Sequence, residues 1–280
     1  MPLNDDPAVV AQRFRQMAAA GVISSKSADK LANRGAKQHR SKNTPAPRHE
    51  GVRQYPKGDP LHLILLLDVS GSMAPISKHV AKAQNDCIDA LRDSSPGLAG
   101  RLYIKQYFFG KTYEEWHHFE KLDPDGKRDG VGLLPPDFDI NSPPRSLQLP
   151  SAGGTALFAA MHDALEEIAQ EFERLRKAGR STSFYLGIVT DGRDTVGGCL
   201  PEDLKFVQSD YREDLSDSIH NPRTPILNRT VLITLTSPEG LSINDANKLA
   251  EELGVDEHLP TPKDEKAIRR AFMILSSRIK

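Results

Sequence analysis

The residues whose types could do chemistry gather in three short runs. Asp68-Val69-Ser70-Gly71-Ser72 sets one carboxylate and two hydroxyls at alternate positions directly after the apolar run Leu61 to Leu67. Ser151-Ala152-Gly153-Gly154-Thr155 precedes a stretch with helical period, and Thr190-Asp191-Gly192 closes a second apolar run at Val189. Together Ser70, Ser72 and Thr155 offer hydroxyls, and Asp68 and Asp191 offer carboxylates. Oxygen donors without nitrogen or sulfur select a hard cation. Mg²⁺ demands near-octahedral oxygens at roughly 2.0 to 2.1 Å and commonly retains waters. Three of the five groups are neutral, so the charge of such an ion is poorly neutralised. A ligand carboxylate arriving at an open position gains a charge-assisted bond that a carboxylate-saturated site could not give. Each run alone has a plainer reading: an Asx-turn for Asp68, a helix cap for Thr155, a turn residue for Asp191. Their order and context argue for one centre.

Such a set works only if the three runs meet at one rim. LHLILLLD, a continuous apolar run ending in a carboxylate, reads as a central strand of a parallel sheet covered on both faces. A helix is expected from Ser77 to Arg92, with Val80, Ala83, Cys87, Ile88 and Leu91 as its apolar stripe. Strands starting near Arg101 and Thr112 and joined at Gly110 and Lys111 read as an antiparallel edge hairpin. The Pro-rich stretch 123 to 150 reads as a long surface loop. A helix from Ala156 to about Lys177, strands from Ser181 and Arg229, a helix capped by Ser242 and ending before Gly254, and a terminal helix opened by Pro262 or Asp264 complete the alternation. Ile268, Phe272 and Leu275 put one apolar face on that last helix, expected to pack near the first strand and helix. The pattern predicts an α/β fold: a doubly wound, mainly parallel six-stranded sheet with helices on both faces and an antiparallel edge strand. The site would then lie at the carboxyl ends of the strands.

DVSGSM, SAGGTALF and VTDGRD resemble the three loops of the metal-ion-dependent adhesion site in von Willebrand factor A domains, and the likeness covers about residues 60 to 280. The resemblance implies that Ser70 and Ser72 hold Mg²⁺ or Mn²⁺ directly and Thr155 directly or through water. Asp68 and Asp191 would act mainly through waters or hydrogen bonds to the ligating hydroxyls. It further implies rim positions, Gly71, Met73, Gly154, Gly192 and Arg193, that touch a protein partner presenting an Asp or Glu, with no catalysis. Intracellular bacterial-type relatives act as adaptors or assembly subunits, often beside AAA+ ATPases, chelatase subunits or multi-gene stress and defence systems. In adhesive relatives the terminal helix slides as the metal loops rearrange. The sequence departs from the compact family pattern at 123 to 150 and 193 to 228, both expected to border the metal face.

With 280 residues the chain has room for one large α/β domain, placed at 59 to 280, and a preceding arm over 1 to 58. The arm is read as a helix over 5 to 20 with Val10, Phe14 and Met17 on one face, a second helix from Ser27 to Arg34, and a basic, Pro-containing linker; it is expected to be a mobile arm, against the readings of a docked or frayed tail and of a dedicated partner-binding arm. A net charge of -1 offers no whole-chain argument for nucleic acid or an anionic membrane. Two cysteines, Cys87 and Cys199, outside any zinc or redox spacing fit a reducing compartment. The N-terminus lacks the basic and apolar regions of a secretory signal, so a cytoplasmic location is expected, without membrane. Asp123, Asp125 and Asp129 lack the spacing of a calcium loop. Two other function classes compete. A Mg²⁺-dependent phosphoryl hydrolase would use Asp68 as nucleophile but needs a lysine near the metal, and none occurs from Asp68 to Ala74. Nucleic-acid binding would use Arg34, Lys37, His39, Arg40, Lys42 and Arg48, but without interleaved aromatic residues.

Overall fold

A computed structural model describes residues 7–32, 59–94, 98, 100–122, 133–135, 138–142, 149–150, 153–213 and 225–279, apart from the side chains of 7, 94 and 115–121. Six strands form one sheet: β1 (Leu61–Asp68), β2 (Leu102–Phe109), β3 (Tyr113–Lys121), β4 (Ser183–Thr190), β5 (Leu227–Thr236) and β6 (Glu257–Pro262). Their order is β3-β2-β1-β4-β5-β6, and only the β2–β3 pair is antiparallel. The doubly wound sheet expected from the alternation is thus present, hairpin edge included. All eight residues of β1 are buried, which explains why an unbroken apolar run, rather than an alternating one, encodes it.

Helices cover both faces. Leu63, Leu65 and Leu67 of β1 face α3 (Ser77–Ser94) and α7 (Glu265–Arg278), whose Cys87, Ile88, Ile268, Phe272 and Leu275 are buried in the same cluster. Ile64 and Leu66 face the opposite cluster, built from α4 (Leu157–Lys177), α5 (Pro201–Arg212) and α6 (Ile243–Leu253). Local chemistry sets the helix ends. Ser242 accepts from Asp245 N at 3.1 Å to open α6, and Gly254 closes it at φ 64°, a left-handed turn that glycine adopts without strain. Asp264 accepts from Ala267 N at 3.0 Å to open α7.

Three elements differ from expectation. A 3-10 turn, Gly71–Ile76, with Pro75 inside it, precedes α3. Helix α5 occupies part of the stretch 193 to 228, opened by Pro201 with Glu202 and Asp203 in its first turn. Strand β6 contains Pro260 and Pro262, which argue against a strand everywhere except at a sheet edge, where it lies.

The helical part of the arm is docked rather than mobile. In α1 (Pro7–Ala19) and α2 (Ser25–Leu31), Val10, Phe14, Met17, Ala28 and Leu31 are buried with residues of α4 and α5. An apolar face of that size gains more from burial than it loses in chain entropy. Ser24 N donates to Asp210 Oδ2 at 3.1 Å, and Lys30 pairs with Asp203, so polar contacts to α5 fix its orientation. The basic cluster from Arg34 to Arg48 lies outside the described residues, as do Asp123, Asp125 and Asp129. No helix among the described residues is long and apolar enough to cross a membrane.

The seating of α7 depends on a small residue. A methyl group on Gly187 of β4 would stand 2.9 Å from Leu65 Cδ2 and 3.1 Å from Leu275 Cδ2. Gly187→Ala should therefore cost about 1–3 kcal/mol through overpacking. Urea unfolding should show this as a lower midpoint at unchanged slope. An unchanged midpoint would mean that α7 yields at this contact.

Candidate metal centre

Strands β1 and β4 are parallel neighbours, and the strand order reverses between them. Open α/β sheets bind ligands outside the carboxyl ends of strands at such a point. Asp68 ends β1, and the residue is 2% exposed. Oδ1 accepts from Ser70 N at 2.8 Å, the turn contact expected of an Asp two residues earlier. Oδ2 accepts from Thr190 Oγ1 at 2.6 Å, which ties the loop after β1 to the end of β4. Burial disfavours the charged form and pushes the Asp68 pKa from 3.8 to about 6. Hydrogen bonds from Ser70 and Thr190 oppose that shift, and the Asp191 charge adds a smaller upward push.

The loops after β1 and β4 converge on three oxygens. Ser70 Oγ and Ser72 Oγ stand 3.1 Å apart, and Ser72 Oγ donates to Asp191 Oδ1 at 2.8 Å. Adjacent oxygens around an octahedral ion at roughly 2.0 to 2.1 Å are separated by about 2.8 to 3.0 Å. The two serine hydroxyls therefore stand close to the spacing of neighbouring ligands, with Asp191 placed to orient Ser72, and this donor set fits a small hard cation. Among the described residues no three His, Cys, Asp or Glu side chains gather to hold a metal.

Thr155 brings the third loop to the same place. A methyl group on Gly192 would meet Thr155 Oγ1 at 3.6 Å. Thr155 N donates to Thr195 Oγ1 at 2.9 Å, and Thr195 N donates to Thr155 O at 3.0 Å. Asp194 Oδ2 accepts from Phe158 N at 2.8 Å, capping α4 from a different loop, while its Oδ1 accepts from Val196 N at 3.0 Å. Ala156 N donates to Gly110 O at 2.6 Å, which ties the loop to the end of β2. All five residues singled out as metal ligands thus lie at one rim. Ser151 and Ala152 lie outside the described residues.

Rim positions are less uniform. Gly71 and Arg193 are exposed, and Gly154 and Gly192 are half-buried. Arg193 pairs with Asp245 in the first turn of α6. Met73 cannot be a partner contact: the 3-10 turn winds its side chain into the cluster on the α3 face, where it is 0% exposed. Four positioning groups escaped the sequence reading. Thr190 ends β4 beside Asp191, and Asp194 and Thr195 follow a few residues on, where either could be read as an ordinary turn residue. Lys263 is far from the other loops in sequence, yet its Nζ donates to Asp191 Oδ2 at 2.6 Å.

A raised carboxyl pKa has a definite sign for stability. The folded chain holds the Asp68 proton more tightly than the unfolded chain, so metal-free protein should lose stability as pH rises from about 4 through about 6. The loss from this group is roughly 3 kcal/mol once the shift is complete. Denaturant titrations of wild type and Asp68→Asn in chelator should differ by a quantity that titrates in that window. A pH-independent difference would show that burial does not strain this carboxylate.

No protein-family model matches the sequence, and no curated protein matches it. Among solved structures, proximal thread matrix protein 1 from the mussel byssus, in a second crystal form, matches at 11% identity and a TM-score of 0.50, over 79% of this chain and 48% of that one. The chain therefore spans about half the length of the mussel protein. The same mussel protein with a zinc occupied MIDAS motif matches at 12% identity and a TM-score of 0.44, over 78% of this chain and 46% of that one. Manganese-loaded TRAP protein from Plasmodium vivax matches at 19% identity and a TM-score of 0.44, over 77% of this chain and 74% of that one. At these identities the likeness concerns fold alone, and it rests on the first of the three. The chain shares with that structure a doubly wound α/β fold.

Proposed function

We propose that the rim binds one divalent cation, Mg²⁺ or Mn²⁺, and through it captures an Asp or Glu carboxylate of a protein partner. The single observation that carries this reading is the pair of hydroxyls, Ser70 Oγ and Ser72 Oγ, held 3.1 Å apart while Ser72 Oγ donates to Asp191 Oδ1 at 2.8 Å. Ser70, Ser72 and Thr155 would hold the ion, and Asp68 and Asp191 would orient those hydroxyls and balance part of its charge. A bound cation would supply an open coordination position and residual positive charge. Gly71, Gly154 and Gly192 add no side chains at the rim, and exposed Arg193, paired with Asp245, adds a cationic one. In this reading the protein is a non-catalytic adaptor or assembly subunit of a cytoplasmic multi-protein system, with an AAA+ ATPase as one candidate partner.

One observation favours a second reading. Lys263 puts an ammonium beside the carboxylates, and a nearby lysine is what a phosphoryl hydrolase using Asp68 would require. Against it, the amine bonds Asp191 rather than Asp68. Both Asp68 oxygens are engaged by Ser70 and Thr190, and the group is buried, which leaves it poorly placed to attack phosphorus.

Isothermal titration with Mg²⁺ and Mn²⁺ should show one site per chain in wild type and none in the Ser70→Ala/Ser72→Ala variant, with circular dichroism unchanged. Undiminished affinity in the double variant would sink the assignment. Metal-dependent hydrolysis of p-nitrophenyl phosphate that disappears in Asp68→Asn would instead select the hydrolase.

A further inference from the structure

Lys263 belongs to none of the three loops. It lies between β6 and Asp264, the residue that caps α7. Its ammonium donates to Asp191 Oδ2 at 2.6 Å, while the other oxygen of that carboxylate accepts from Ser72. The Asp191 side chain is 0% exposed and that of Lys263 is 21% exposed, so this pair is screened much less than a surface pair. One face of Asp191 thus serves the hydroxyl set and the other already carries a cation. Arg193, two positions from Asp191 in sequence, turns instead to Asp245.

The charge count has two consequences. Asp68 and Asp191 ionised give two negative charges, and Lys263 cancels one. A divalent ion entering a cup of charge −1 leaves it at +1, whereas without the lysine the loaded cup would be neutral. The ammonium bonded to Asp191 would also repel the entering ion. We propose that Lys263 sets the charge of this centre, weakening its hold on the cation and strengthening the loaded centre's hold on an anionic ligand. This inference rests on the metal reading above. It makes Lys263 a determinant of ligand class: the loaded rim favours a carboxylate over a neutral oxygen donor, because one positive charge remains for the ligand to neutralise. A lysine suits the role, since its point charge sits on a flexible four-carbon stem that can follow an arriving carboxylate.

Lys263→Gln keeps a donor toward Asp191 and removes the charge; Lys263→Met removes both, and Lys263→Arg keeps the charge. Mn²⁺ titrations followed by calorimetry and electron paramagnetic resonance should show about tenfold tighter binding in the Gln and Met variants, with Arg close to wild type. Water-proton relaxation of the Mn²⁺-loaded proteins, titrated with sodium acetate, should need several-fold more acetate for half-saturation in the Gln variant than in wild type. If the Met variant does not fold, the Gln variant decides. Unchanged or weaker Mn²⁺ binding in Lys263→Gln, or unchanged acetate half-saturation, overturns the inference while leaving the metal reading in place. Absence of Mn²⁺ binding in wild type and in every Lys263 variant overturns both.

Discussion

A carboxylate at the inner end of a strand must find hydrogen-bond donors or become neutral, and the arrangement of this rim follows from how Asp68 meets that demand. Its two donors come from different places: one from its own loop, the Ser70 amide, and one from the adjacent strand, the Thr190 hydroxyl. The second bond fixes the end of β4 against the end of β1. Asp191 is the next residue after Thr190, so its carboxylate is delivered to Ser72 and thereby to Ser70. Asp194 and Thr195, a few residues further on, then hold the start of α4. A single short segment, Thr190 to Thr195, therefore contacts both of the other loops, and the oxygens of the proposed centre are held in place by protein contacts. Prearrangement of this kind lowers the ordering cost of binding.

Much of this was legible in the sequence because the signals are local. The apolar run of β1 ends at Asp68, the helix caps at Ser242 and Asp264 are single residues with a defined partner three positions on, and Gly254 stops a helix for a reason confined to its own φ. The apolar face of α7 follows from spacing alone. What stayed hidden depends on long-range contacts or on conflicting local signals. Strand β6 carries two prolines, which read as a loop unless its edge position is known. Helix α5 has a proline and two acids at its start and Leu204, Val207 and Tyr211 along one face, but it sits within a stretch without flanking apolar runs. Met73 belongs to the DVSGSM run, yet the direction of its side chain depends on a 3-10 turn whose sequence has no strong helical period.

The arm shows the same division. Phe14 and Met17 announced an apolar face, but their docking against α4 and α5 depends on Asp203 and Asp210, nearly two hundred residues away in the chain. Lys263 is the extreme case. A lysine after a proline, before a helix cap, has no local feature that distinguishes it from a solvated residue, and only the parallel pairing of β6 with β5 carries it back to the rim where β4 ends.

The two prolines of β6 also govern what the sheet can do beyond its own edge. Backbone amides and carbonyls of alternate residues in a strand point to the same side, so Pro260 and Pro262 share a side and Leu259 and Thr261 share the other. Pairing with β5 requires N–H donors, which assigns the prolines to the outward side. That free margin presents carbonyl oxygens but almost no amide hydrogens. A further strand laid alongside would find acceptors facing acceptors, so growth of the sheet by strand addition, whether from a second copy or an extended peptide, is discouraged at this margin.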